Sequence, residues 1–437
     1  ARHYAPESTA ELEAIVAGAH AAGERVRVVG SALSPNGTGL CADGMVSLAL
    51  CDKVLAVDEK RKRVTVEAGC RVRELVEALR PYGLTLENYA SIAEQQVGGF
   101  VSVGAHGTGA AVPPVDEQVV SLKLVTPARG TLELSAEGAD AGLFRLARVA
   151  MGTLGAISEV TLQLVDAHRL HEVTYVATRE RVRREHEATL KRFKHVRYMW
   201  LPYTDDVVVV GSNPVKKGAE LPDCKVPAAP EVERVAEMRA LLRSAAPEVD
   251  ARTAADASFA ELRDALLAVD CADSEWVAKV NRAEAAFWRK SEGERCDWSD
   301  KVLGFECGGQ QWVSEVAFPC GTYDKPDMAD MDFMEELLDA VEHAGIAAPS
   351  PLEQRWTSGS SSPMSPAAGA ADSLHCWVGI IMYLPTEEPL ERERITARFK
   401  RYCELERRVV LEKFGAHHHW AKIEPAGPLG SAALEHQ

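Results

Sequence analysis

At 437 residues the chain is longer than one ordinary core serves, so two or three domains are expected. Hydrophobic residues make up 46% and charged residues 26%, as in soluble globular proteins; the formal net charge of −16 argues against nucleic acid as a main partner, because phosphate binding needs concentrated Lys and Arg. The longest apolar runs, Val207–Val210 and Val378–Leu384, are strand-length; they fall short of the roughly 18–20 residues that a membrane-spanning helix requires.

In chain order, Ser8–Ala22 reads as a helix with Leu12, Ile15, Val16 and Ala19 on one face and Ser8 or Thr9 as its cap. A strand at Val26–Val29 runs into a small-residue turn, Gly30–Gly37, followed by strands at Met45–Leu48, Val54–Asp58 and Arg63–Glu67. Arg73–Tyr82 is helical, Glu94–Gly109 is rich in glycine, and Val119–Val125 with Thr131–Leu134 forms a hairpin-like pair. A glycine-containing turn after Met151 leads into the strand Ile157–Leu164. Beyond Asp166 come a strand at Glu172–Ala177, a charged helix at Arg179–Lys194 and an exposed loop at Lys216–Pro230. The stretch Ala257–Asp297 reads as mostly helical. Strands follow at Gln310–Phe318, Glu353–Thr357 and Cys376–Leu384, with Ser358–Asp372 a low-complexity Ser/Pro/Ala/Gly loop. No internal repeat is present. This order suggests a nucleotide-type domain followed by an α+β domain that covers it.

Ten scattered cysteines contain no CxxC pair and no zinc-like Cys/His spacing, so free thiols in a reducing compartment are expected. His417, His418 and His419 are consecutive, which prevents easy convergence on one ion, so no metal site is expected. The sequence begins at Ala1 without Met, and a processed or missing beginning is expected.

Three glycine-rich turns, each beside a strand, carry the chemistry of the first part. They are Gly30-Ser31-Ala32-Leu33-Ser34, Gly98-Gly99 with Gly104-Ala105-His106-Gly107-Thr108-Gly109, and Gly152-Thr153-Leu154-Gly155 leading to Ile157. Small residues let backbone N–H groups approach a pyrophosphate, though any one of these turns alone is ordinary. None has the order G-x-G-x-x-G, which disfavours a Rossmann NAD domain.

Together at this spacing the turns resemble the FAD-binding domain of the vanillyl-alcohol oxidase family. The stretch Ala93–Thr126, with "YMWLPYTDDVVVV" (198–210), "GFECGGQQWVSE" (304–315), "EQRWT" (353–357), "WVGIIMYLPT" (377–386) and "HWAKIE" (419–424), resembles its plant-type L-galactono-1,4-lactone dehydrogenases. The implied fold class is α+β. Two α/β subdomains of the PCMH type form an FAD-binding domain (1–167), a substrate cap follows (168–416), and a C-terminal segment (417–437), shorter than in the family, returns to the FAD domain. The implied reaction is oxidation of L-galactono-1,4-lactone to ascorbate with cytochrome c as acceptor. The resemblance also implies a mitochondrial protein on the intermembrane-space face of the inner membrane, in contact with a complex I assembly intermediate. The alternatives are an oxygen-using aldonolactone oxidase and a protein that is chiefly an assembly factor.

The resemblance also assigns residues. Related oxidases carry a His in the first turn that bonds covalently to the flavin; Leu33 stands there and has no nucleophilic atom, so FAD is expected to be held non-covalently. Ala32 replaces the family's usual Gly. Glu353 and Arg355, on one face of a strand by period-two alternation, are expected to bind the lactone over the flavin. A bare Glu-x-Arg is otherwise an ordinary surface ion pair. Lys422 is the third expected catalytic residue, a cation near the flavin. Ala105 is expected to limit oxygen access, and His106 to be a structural hydrogen-bonding residue of its loop.

Overall fold

Alternating residues decide which face each strand buries. In Arg63–Glu67 the side chains of Val64 and Val66 are buried and their neighbours only partly so, and Ala156–Gln163 repeats the pattern. A computed structural model describes residues 2–304 and 309–424. Five antiparallel strands form the first large sheet, in the order Val54–Asp58, Arg63–Glu67, Ala156–Gln163, Val119–Thr126, Gly130–Ser135. A small parallel sheet joins Arg2–Tyr4, Gly44–Ser47 and Arg27–Val29. The first helix, Thr9–Ala21, is capped by Ser8, whose hydroxyl accepts from the Glu11 N–H at 3.2 Å. The expected hairpin is present, and the helix expected over Arg73–Tyr82 is Val72–Leu79 followed by a tighter turn.

The second half is built on an eight-stranded sheet. Its order is Gly293–Trp298, Arg169–Thr178, Asp206–Pro214, His195–Trp200, Leu352–Ser358, Ser373–Tyr383, Gln311–Thr322, His417–His418. Every pairing in it is antiparallel. One face packs on helices Arg179–Arg192, Ala329–His343 and Pro389–Glu406 around Tyr198, Trp200, Trp356 and Phe399. A separate core around Leu75, Phe100 and Val160 fills the first half. The observed architecture is α+β.

One expectation differs in part from what is observed. Ala257–Asp297 breaks from helix (Ser274–Arg289) into the strand Gly293–Trp298, because this charged segment finds an edge position beside Arg169–Thr174. The Ser358–Asp372 stretch is a loop, but much of it is buried: Ser360, Ser362 and Ala367 are fully inaccessible. Ser360 donates to Asp116 Oδ2 at 2.6 Å, and Arg148 Nη2 reaches Ser361 at 2.6 Å and Glu117 at 2.7 Å. These contacts tie the loop to the first half of the chain. Nine described cysteines are free; Cys307 lies outside the described residues. No described helix is long and apolar enough to cross a membrane.

Asp116 carries a cost. Burial raises its pKa from 3.8 to about 6 despite the opposing pull of Ser360 and Arg148. The folded form therefore holds the proton longer than the unfolded chain, and stability falls as pH rises from the unfolded value through about 6. Asp116→Asn cannot ionise and retains an acceptor for Ser360. Its melting temperature is expected to lose the decline that the wild type shows across this window, as read by thermal denaturation at a series of pH values. An unchanged pH profile contradicts this account.

Candidate active site

The three glycine-rich turns converge on one cleft of about 270 Å3 between the halves of the chain. The first turn contributes Gly30 to Ser34, the second Gly98, Gly99, Ala105 and His106, and the third Gly152, Gly155 and the following Ile157. Gly155 has φ +149°, and a Cβ there would lie 2.4 Å from Val125 O, so the turn requires glycine. Gly104, Gly107 and Gly109 are not among the residues lining the cleft. A Cβ on Gly107 would meet Asn88 Oδ1 at 2.0 Å, and Gly109 N–H donates to Trp356 O at 2.7 Å. Thr108 meanwhile donates to Val196 O. The Gly104–Gly109 loop thus wedges into the eight-stranded sheet where His195–Trp200 and Leu352–Ser358 diverge.

Strand alternation sets the opposite wall. Gln354 and Trp356 point into the helix-covered core, where Trp356 Nε1 donates to Asp330 Oδ2 at 2.7 Å and Gln354 Nε2 to Asp330 O at 3.1 Å. Glu353 and Arg355 take the other face, as expected from period two. Arg355 Nε lies 3.5 Å from Glu353 Oε2, and its Nη2 donates to Glu315 Oε1 at 2.5 Å. Arg355 lines the cleft, and Glu353 stands one step outward.

Glu315 is the residue that sequence reasoning missed. It is buried, yet its carboxyl lies well below the usual range: burial pushes it up, and Arg355, His106 and Lys422 together pull it further down. His106 stacks on Trp377 with ring centroids 3.6 Å apart, its Nδ1 3.0 Å from Gly107 O and its Nε2 3.2 Å from Glu315 Oε1. Both nitrogens face acceptors, and a neutral ring can donate to only one of them. Burial lowers the His106 pKa, opposed by Glu315.

The C-terminal segment completes the site. His417–His418 pairs with the Gln311–Thr322 strand, His419 N–H donates to Glu315 O at 2.8 Å, and Lys422 reaches the cleft. Buried Asn36 anchors this segment, its Nδ2 donating to Trp420 O at 2.7 Å and to Lys422 O at 3.0 Å. Residues 425–437, the rest of the expected C-terminal segment, lie outside the described residues. His106, Glu315 and His419 present ligand-type atoms within 4.8 Å of one another. The adjoining Arg355 and Lys422 charges oppose a cation, and His419 Nδ1 already accepts from Ala421 N–H at 3.0 Å.

Residues 2–135 match the FAD binding domain model, and residues 160–423 match the D-arabinono-1,4-lactone oxidase model. The chain belongs to the D-arabinono-1,4-lactone oxidase family. It is 52% identical to the mitochondrial L-galactono-1,4-lactone dehydrogenase of Arabidopsis thaliana, covering 96% of this chain and 70% of that protein. It is 30% identical to the L-gulonolactone oxidase of Bos taurus, covering 96% and 85%. Cholesterol oxidase from Brevibacterium sterolicum shares the fold, with a TM-score of 0.69 at 14% identity over 98% of this chain and 84% of that one. This family member is an FAD-dependent oxidoreductase, and its cleft fits the cofactor: three glycine-rich turns supply close backbone along one wall, and Arg355 and Lys422 supply cations on the other.

Ala32 adopts φ +53°, a left-handed conformation that strains any residue with a Cβ. A glycine would hold this conformation without that strain. Ala32→Gly is therefore expected to leave the melting temperature unchanged or raised, where Ala→Gly in a helix costs about 0.5–1 kcal/mol. Ala32→Val is expected to lower both stability and flavin retention, measured by thermal denaturation and bound-flavin absorbance. Equal tolerance of Val and Gly contradicts the assignment of strain.

Proposed function

We propose that this protein oxidises L-galactono-1,4-lactone to ascorbate with non-covalently held FAD, passing electrons to cytochrome c. The observation that carries this reading is the pairing of Glu353 and Arg355 on the cleft-facing side of one strand, with Arg355 held by Glu315. Plant relatives named as mitochondrial L-galactono-1,4-lactone dehydrogenases support the substrate and a mitochondrial location. The intermembrane-space face of the inner membrane and contact with a complex I assembly intermediate rest on the plant-type resemblance. The proposed division of labour gives residues 1–167 the cofactor, 168–416 the substrate, and the segment from 417 the closing cation.

Bound FAD supplies the hydride acceptor for oxidation of the secondary alcohol. Glu353 orients the reacting hydroxyl and accepts its proton. Arg355 stabilises negative charge developing on the substrate oxygen, and its guanidinium is fixed in advance by Glu315, so little reorganisation is needed. Lys422 adds a second cation at the same wall. Glu353→Gln and Arg355→Ala are expected to retain FAD but slow its reduction by the lactone at least about tenfold, a loss of about 1.4 kcal/mol or more. Wild-type reduction rates in both variants remove these residues from the mechanism.

Leu33 and Ala105 favour a dehydrogenase over an oxygen-using oxidase. Leu33 is 43% exposed at the cleft and has no atom that bonds a flavin, so acid precipitation is expected to leave the yellow chromophore in the supernatant. Flavin that stays with the precipitate refutes non-covalent binding. Ala105 is buried against the cleft, where one methyl can fill a narrow approach. Ala105→Gly is expected to speed reoxidation by oxygen while leaving reduction by the lactone nearly unchanged. Oxygen reactivity at the wild-type level places the barrier elsewhere.

A further inference from the structure

Lys422 reaches the cleft from a short bend that one strand holds at both ends. His419 N–H donates to Glu315 O at 2.8 Å and Ile423 N–H to Val313 O at 2.9 Å, both on Gln311–Thr322. Four residue steps in the bend thus span two in the strand, so the chain between them must loop out. Lys422 N–H closes the loop by donating to His419 O at 3.0 Å. A lysine ammonium rides on a flexible four-carbon stem, so where it stands depends on how its backbone is held.

The outer side of this bend is met by the first glycine-rich turn. Ser34-Pro35-Asn36-Gly37 reverses direction there, with Gly37 N–H donating to Ser34 O at 3.4 Å; Pro35 suits the second position of such a turn and Gly37, at φ +65°, its exit. Asn36 is 8% exposed, and its amide is committed on both sides. Its Oδ1 accepts from Thr38 N–H at 3.1 Å, which fixes the orientation of the amide, and the Nδ2 protons go to Trp420 O at 2.7 Å and Lys422 O at 3.0 Å. Ser34, Gly37 and Thr38, on either side of Asn36, line the cleft. One buried side chain therefore ties the cofactor-facing turn to the backbone of the residue that carries the cation. We propose that Asn36 is a positioning residue that sets where Lys422 stands against the bound flavin. This rests on the reading of Lys422 as the closing cation.

The test uses the holoenzyme at confirmed equal flavin content and reads the flavin midpoint potential, which a nearby cation raises by favouring the negatively charged reduced form. The four proteins are the wild type, Asn36→Ala, Lys422→Met and the double variant. Lys422→Met is expected to lower the potential by about 30 mV or more, a tenfold shift for two electrons, and Asn36→Ala to give a large part of that fall. The double variant is expected to be no lower than Lys422→Met alone. Asn36→Ser, which keeps one donor, is expected to recover part of the shift. Tryptic cleavage after Lys422, identified by mass, is expected to be at least about tenfold faster in Asn36→Ala than in wild type, because the bend has lost two hydrogen bonds. Wild-type potential or wild-type cleavage in Asn36→Ala overturns the proposal. So does a double variant whose fall is the sum of the two single ones, since Asn36 then acts independently of Lys422. If Asn36→Ala does not retain flavin, the same cycle is read on Asn36→Ser with the same criteria. Lys422→Met at the wild-type potential overturns the reading of Lys422 itself, which is seen without any change at Asn36.

Discussion

The buried negative charge of Glu315 is the constraint on which the site depends. A carboxylate taken out of water is stable only when its oxygens are met by donors and cations. Here the partners come from three distant parts of the chain: Arg355 from the adjacent sheet region, His106 from the glycine-rich loop, and Lys422 from the C-terminal segment. The requirement to neutralise one buried charge thus assembles the wall that faces the cofactor cleft. It also fixes the Arg355 guanidinium before substrate arrives.

The same wall explains how the halves are joined. The loop carrying Ala105 and His106 ends in Thr108 and Gly109, which bond to Val196 and Trp356 of the eight-stranded sheet. On the other side, Ser360 and Ser361 meet Asp116, Glu117 and Arg148. Asn36 clasps the C-terminal segment beside the first turn. Most of these hydrogen bonds are at least partly buried, and movement of one half against the other would break several at once.

Much of this was legible in the sequence where local rules apply. Glycine-rich turns beside strands announced a cleft of close backbone, and alternation placed Glu353 and Arg355 on one face. Glu315 was not legible, because an acidic residue in an apolar strand has no visible partner when Arg355 is 40 residues away and His106 comes from another half of the fold. Ser358–Asp372 reads as a low-complexity loop, and composition does not show that its small side chains let it pack flat against Arg148 and Asp116. Gly293–Trp298 carries too many charges to read as a strand, and its edge position tolerates them.

A double-mutant cycle on the limiting rate of flavin reduction tests whether Glu315 acts through Arg355. The four proteins are the wild type, Glu315→Gln, Arg355→Ala and the double variant, each at full flavin occupancy. If Glu315 works by holding Arg355, each single change slows reduction and the double variant is no slower than Arg355→Ala alone, a coupling of about 1.4 kcal/mol or more. If the two losses multiply in the double variant, the residues act independently and the account is wrong.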